Sequence, residues 1–275
     1  MIVFPNCKIN LGLNILRKRE DGFHDLETVF YPVQIRDVLE VVKSEVGSPE
    51  SGVEFTSSGL VIDGDASDNL CIKAYHLLKK DFPSLPSVQM YLHKHIPMGA
   101  GLGGGSADGA FALQLLNDKF HLSLSSEQLI NYALQLGSDC PFFMLNEACF
   151  AASRGELMQK IALDLSAYQF VVVNPHIHIS TAWAFKNIVP TVPDKSIKTI
   201  IQQPIESWKD ELVNDFEKPV IKEIPVIGEI KQQLYEAGAV YASMSGSGST
   251  VFGIFKKEAA PSVQFPSHFF VQTVS

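Results

Sequence analysis

The sequence has no cysteine pair at C-x-x-C spacing, no membrane-length apolar run and no excess of basic charge. Its four cysteines, Cys7, Cys71, Cys140 and Cys149, are scattered through 275 residues. That pattern excludes a zinc ribbon or a disulfide framework and predicts reduced, buried thiols. With no basic leader at the N-terminus and no apolar stretch of membrane length, the chain predicts a cytosolic protein without a membrane partner. Lys and Arg total 22 against 30 Asp and Glu, a net charge of −8, so no nucleic acid is expected as partner. The one basic triplet, Arg17-Lys18-Arg19, reads as a solvated turn. Histidine pairs occur at His93/His95 and His176/His178, but neither has a third ligand in view, so no protein-held metal site is expected.

Glycine, by contrast, is concentrated. Five glycines fall within the seven residues 99–105. Before them Val88, Met90 and Leu92 alternate with polar neighbours, which predicts a strand; after them Ala110, Leu113 and Leu116 keep helical spacing. A glycine turn between strand and helix directs backbone N–H groups and the helix dipole at an anion, and a phosphate is the natural guest. Gly99, Gly101 and Gly104 satisfy G-x-G-x-x-G, yet a second helical pattern at 126–136 follows where a dinucleotide fold needs a strand. Gly105-Ser106 stands where a Walker loop needs Lys-Ser/Thr. Both familiar phosphate loops are therefore excluded.

Further along, Ile9, Leu11, Leu13 and Ile15 alternate with Lys8, Asn10, Gly12 and Asn14. Asparagine and glycine are poor strand formers, so this polar face suits a hydroxylated or phosphorylated ligand better than water alone. Asp21-Gly22 predicts a hairpin. Strands are expected at 26–32, 38–43, 53–56 and 170–173, and a helix at 69–80 with Asp68 as N-cap. Ser125 and Gln128 form a capping-box pattern for the helix that Gly137 closes. Residues 190–205 read as loop, 212–216 and 225–236 as helical, and 240–243 and 251–255 as strands around a second glycine loop. A lobe boundary is placed near residue 153.

The run P-M-G-A-G-L-G-G-G-S-A resembles the phosphate-binding motif of the GHMP kinases, the superfamily of galactokinase, homoserine kinase and mevalonate kinase. The resemblance implies that Pro97, Met98, Gly99, Ala100, Gly101, Leu102, Gly103, Gly104, Gly105, Ser106 and Ala107 bind ATP with Mg²⁺, with Lys94 near the nucleotide. The run M-S-G-S-G-S-T-V-F resembles the third motif of that superfamily, so Ser245, Gly246, Ser247 and Gly248 are expected against the nucleotide loop. L-G-S-D-C-P-F-F resembles the segment carrying the catalytic aspartate. It implies Asp139 as the group that takes the substrate's proton, with Lys8 as its cationic partner.

Lys8-Ile9-Asn10 followed by Asp21-Gly22-Phe23-His24 resembles one branch of the superfamily, which acts on a cytidine-diphosphate-linked methylerythritol in isoprenoid precursor synthesis. In that branch an aromatic and a histidine hold the cytosine. Phe23, His24 and Phe185, on opposite sides of the ring, are therefore the expected base pocket, joined by Thr181, Asn10 and Asp139 as substrate contacts. The implied fold is α+β and two-lobed: a nucleotide-binding lobe over 1–153, a ferredoxin-like lobe over 154–275, and the active site between them. The implied protein is a monomer or homodimer. Two alternatives stand beside this reading: another small-molecule kinase of the homoserine or mevalonate type, and a catalytically silent relative. The Phe23-His24 pair argues against the first, and Lys8 with Asp139 against the second.

Overall fold

The computed structural model describes residues 1–44, 52–259 and 261–275. Two compact units emerge, and neither is one continuous piece of chain. One comprises Met1–Cys7, Ile35–Met98 and Gly103–Asn146; the other comprises Lys8–Gln34, Gly99–Leu102 and Glu147–Ser275.

In the first unit a four-stranded sheet has the order Ile2–Val3, Val38–Lys43, Val88–Lys94, Val53–Gly59. Its last pair is parallel and the others are antiparallel. Val88, Met90 and Leu92 are buried while Tyr91 and His93 are exposed, as their alternation requires. Helices Leu70–Asp81, Gly104–Lys119, Ser126–Leu136 and Cys140–Leu145 complete this unit. The capping box at Ser125 and Gln128 forms as expected. Gly137 does cap that helix, but at φ 169°, an extended value that does not require glycine. The cap of the helix at 70 is Asn69, whose side chain accepts from Cys71 N at 2.9 Å. Asp68 instead closes a short turn whose own cap is Asp65, so the expected cap was one residue early.

The second unit holds two sheets. One has the order Asn6–Lys18, His24–Arg36, Cys149–Ser153, Leu157–Lys160. The other is antiparallel throughout: Tyr241–Met244, Val251–Lys256, Tyr168–Asn174, Phe270–Val274. The helix Pro225–Glu236 packs on the second sheet through Ile230 and Leu234, in a core shared with Leu13, Ile15, Val171 and Phe255. Both faces of the strand Asn6–Lys18 are buried up to Ile15. Its polar residues therefore do not face solvent; Lys8, Asn10 and Asn14 are each 3% exposed or less.

Two expectations need correction here. Residues 190–205 are not all loop, since Ser196 caps a short helix at Ile197–Ile200. Residues 212–216 are not helical. They form a connector between helices Trp208–Glu211 and Glu217–Glu223, and Leu13 pairs with Asn214 in an isolated parallel bridge. Leu13 N donates to Val213 O and Asp215 N to Leu13 O, so a neighbouring strand takes the backbone bonds that a helix would have used. All four cysteines are buried, and none is in a disulfide. Among the described residues no helix is long and apolar enough to cross a membrane.

Candidate active site

The strand Val88–Lys94 runs into the glycine loop, which opens the 16-residue helix Gly104–Lys119. The helix has no side-chain cap; Gly103 occupies the cap position in a left-handed conformation at φ 69°. An N-terminus left uncapped by side chains is suited to a phosphate. Within the loop, burial alternates. Pro97, Ala100, Leu102, Gly104 and Ala107 are buried, whereas Met98, Gly99, Gly101, Gly103, Gly105 and Ser106 keep access to solvent. The backbone of the second set is thus open to solvent.

Glycine is required most at Gly101. A Cβ there would lie 1.9 Å from Ser245 O, and its φ is +79°. The close approach arises because the two glycine loops are bonded together. Ser245 Oγ donates to Gly101 O at 2.7 Å, Asn10 N donates to Ser245 Oγ at 3.2 Å, and Thr250 N donates to Ala100 O at 3.3 Å. Lys8 N donates to Leu102 O at 2.9 Å. The segment Gly99–Leu102, the strand Asn6–Lys18 and the loop 245–250 thus form one junction. The expected contact between the two glycine loops is present.

From this junction a polar chain runs along the strand. Lys8 Nζ donates to Asn10 Oδ1 at 2.7 Å and lies 4.7 Å from the centroid of the Phe30 ring. Asn10 Nδ2 donates to Thr28 Oγ1 at 3.0 Å, and Thr28 passes the chain to Gly12 O at 2.5 Å. A buried ammonium is costly without such partners.

The expected base-pocket residues lie in the same unit. Phe23 is 52% exposed at the hairpin tip, with the Arg154 guanidinium 4.9 Å from its ring centroid. The His24 and Phe185 rings stack on each other at 4.7 Å with planes 19° apart. That is already a stacking contact. Phe185 does not lie across a gap from His24, as expected, and no base fits between the two rings as they stand. Burial, with help from the charge on Lys18, holds His24 below its ordinary value. Thr181 Oγ1 is 3.2 Å from Ser247 Oγ, which links the Phe185 helix to the second glycine loop.

In the first unit Asp139 is half-buried before the helix Cys140–Leu145 and makes no side-chain cap bond. Burial pushes the neighbouring Cys140 thiol up to about 12; the Ser106 hydroxyl opposes that shift and the Asp139 charge adds to it. Ser106 and Asp139 therefore share one neighbourhood.

Lys94 is built into the fold. Its side chain is fully buried and bonds Asp37 and, at 2.9 Å, Asp108. Its ammonium is paired with these two carboxylates beneath the helix start, where a Cβ at Gly104 would meet Nζ at 3.0 Å. Burial lowers Lys94, but the charges of Asp108 and Asp37 outweigh it and the net shift is upward. Burial pushes Asp108 up to about 7 despite the Lys94 charge, with Asp37 adding to the rise. Asp108 Oδ1 is buried without a hydrogen-bond partner among the described residues. Sequence reasoning missed both carboxylates; the only signal was an acid, Asp108, in the otherwise small and apolar first turns of the helix.

Comparison with known proteins shows what the chain as a whole is similar to. Residues 69–147 match the GHMP kinases N terminal domain and residues 196–265 the GHMP kinases C terminal domain. A Bacteroides fragilis protein named 4-diphosphocytidyl-2-C-methyl-D-erythritol kinase is 51% identical over 274 residues, spanning 99% of each chain. A Bacteroides thetaiotaomicron protein of the same name is 52% identical over 94% of this chain and 93% of its own. A solved structure of 4-(cytidine 5'-diphospho)-2C-methyl-D-erythritol kinase superposes with a TM-score of 0.80 at 28% identity, covering 99% of this chain and 98% of that one. A mevalonate kinase structure superposes at 0.69 with 12% identity, covering 94% and 92%, a likeness of fold alone.

Proposed function

The chain belongs to the GHMP kinase family, and we propose that it transfers the γ-phosphoryl group of ATP to the 2-hydroxyl of 4-diphosphocytidyl-2-C-methyl-D-erythritol. The observation that carries this reading is the junction at Gly101. There the phosphate-type loop is bonded to the Ser245 loop and to the strand bearing Lys8, in a unit that also holds the His24–Phe185 pair. Full-length relatives at about half identity, both named for that substrate, support the choice of acceptor.

Phosphoryl transfer passes through a loose transition state, so positioning and charge stabilisation matter more than a strong base. Asp139 is the proposed acceptor of the hydroxyl proton, and it orients the attacking oxygen. Lys8, held by Asn10, is the proposed source of fixed positive charge. The backbone of Gly101, Gly103 and Gly105 with the Ser106 hydroxyl would hold the phosphates, while Phe23 and the stacked His24–Phe185 pair would take the base on an outer face and not between the two rings. Asn10 and Thr181 are the proposed polar contacts to the acceptor. Mg²⁺ would neutralise phosphate charge.

The test is ATP consumption by purified protein with Mg²⁺, offered the cytidyl substrate, homoserine and mevalonate in parallel. Turnover with the cytidyl compound alone is expected; turnover only with another alcohol would discard the acceptor assignment. Asp139→Asn is expected to lower kcat by about 10²-fold or more while leaving ATP affinity near that of the parent. Equal losses in both would remove Asp139 from the base role.

A further inference from the structure

The connector at 212–216 does more than join two helices. All three polar side chains of Asn214-Asp215-Phe216-Glu217 are committed to backbone elsewhere in the unit. Asn214 Nδ2 donates to Met244 O at 2.7 Å and to Gly246 O at 2.8 Å, and its Oδ1 accepts from Phe216 N at 3.0 Å. Asp215 Oδ2 accepts from Ile15 N at 2.7 Å. Glu217 Oε1 accepts from Ser243 Oγ and Met244 N at 2.9 and 2.7 Å.

Asn214 is 3% exposed, and both of its amide protons are used. An oxygen in place of that nitrogen would face two carbonyl oxygens. The two carbonyls it holds flank Ser245, whose hydroxyl bonds Gly101 O. Two residues further on, Phe216 meets Phe185 edge-on at 5.0 Å and 90°, and Phe185 in turn stacks on His24.

We propose that Asn214 and Phe216 are positioning residues for the transfer reaction: Asn214 sets the Ser245 loop from behind, and Phe216 sets the His24–Phe185 pair. One short connector would thus fix the phosphate side and the base side of the acceptor site separately. The inference rests on the kinase reading above. It adds two residues that touch neither ATP nor acceptor and act through Ser245 and Phe185.

A purely structural tie would lower stability and degrade every activity together. Separate positioning predicts a split. The experiment measures the thermal midpoint, kcat, KM for ATP and the calorimetric Kd for cytidine monophosphate in Asn214→Asp and Phe216→Leu. Asn214→Asp should lower kcat/KM for ATP by about 10- to 100-fold, with the cytidine monophosphate Kd held within about twofold. Phe216→Leu should weaken cytidine monophosphate by about fivefold and leave KM for ATP within about twofold. Parallel losses on both sides in either variant, or no change in either, would overturn the proposal. If Asn214→Asp does not fold, Ser245→Ala carries the test: an ATP-side loss with the cytidine site intact supports it, and no loss overturns it. If the parent protein binds ATP without phosphorylating the cytidyl substrate, the kinase reading fails by itself. The Asn214 arm is then scored on ATP Kd, where an unchanged value counts against it.

Discussion

The imidazole of His24 and the phenyl ring of Phe185 lie face to face at 4.7 Å, although 161 positions separate them in the sequence. Burial, with the charge on Lys18, holds the imidazole below its ordinary value, and the Phe185 ring covers one of its faces. Phe185→Ala admits water and should raise the His24 pKa toward 6.5. An NMR titration of the His24 ring protons reads this directly; an unmoved pKa would mean that other groups desolvate the ring.

Gly101 is the position least tolerant of a side chain. Its positive φ alone costs a non-glycine residue about 1–3 kcal/mol, and the Ser245 carbonyl oxygen, 1.9 Å from where a Cβ would stand, leaves no place for a methyl group. Gly101→Ala should force the two loops apart and weaken ATP binding by about tenfold or more. Calorimetric titration with ATP checks it, and parent-like affinity would show that the loop junction does not shape the nucleotide site.

The buried Asp37–Lys94–Asp108 triad makes stability depend on pH. Asp108 is pushed up to about 7 in the fold, from an ordinary value of 3.8. Between those values the folded state binds the proton and the unfolded state does not. Stability from this group is therefore present at low pH and is lost as pH rises through about 7. Asp108→Asn keeps the shape without the titration, so its thermal midpoint should fall less than the parent's between pH 4 and 7. Equal slopes in the two proteins would place the titration elsewhere.

Gly109 is set by packing. A Cβ at this helix position would lie 2.6 Å from Leu70 Cβ on the neighbouring helix. Alanine would gain about 1 kcal/mol of helix propensity but incur about 1–3 kcal/mol of overpacking. Gly109→Ala should lower the denaturation midpoint with no change in m; a rise would show that the helices can separate at little cost.

Local signals were readable wherever one stretch of chain carried them. The capping box at Ser125, the alternation from Val88 to Leu92 and the helix Pro225–Glu236 all formed as expected. Both glycine loops were recognisable, and so was their contact, through the family resemblance. The failures share a cause. Residues 212–216 have helical spacing, but Leu13 and the Asn214 side chain offered their backbone better partners. Lys94 shares the inward parity of Val88, Met90 and Leu92, but the alternation of one strand does not show which carboxylates will meet its ammonium.

The sequence by itself determined the order of motifs, the strand–glycine–helix turn and the family, because these depend on backbone preferences and spacing within short windows. Only the tertiary structure decided which charges were spent on the fold. Lys94 bonds Asp37 from 57 positions away and Asp108 from 14, and a buried ammonium takes whatever carboxylate the packing brings to it. The direct stacking of His24 on Phe185, and the placing of Asn214 behind Ser245, were decided in the same way: each joins segments that meet only when the unit has closed around its core.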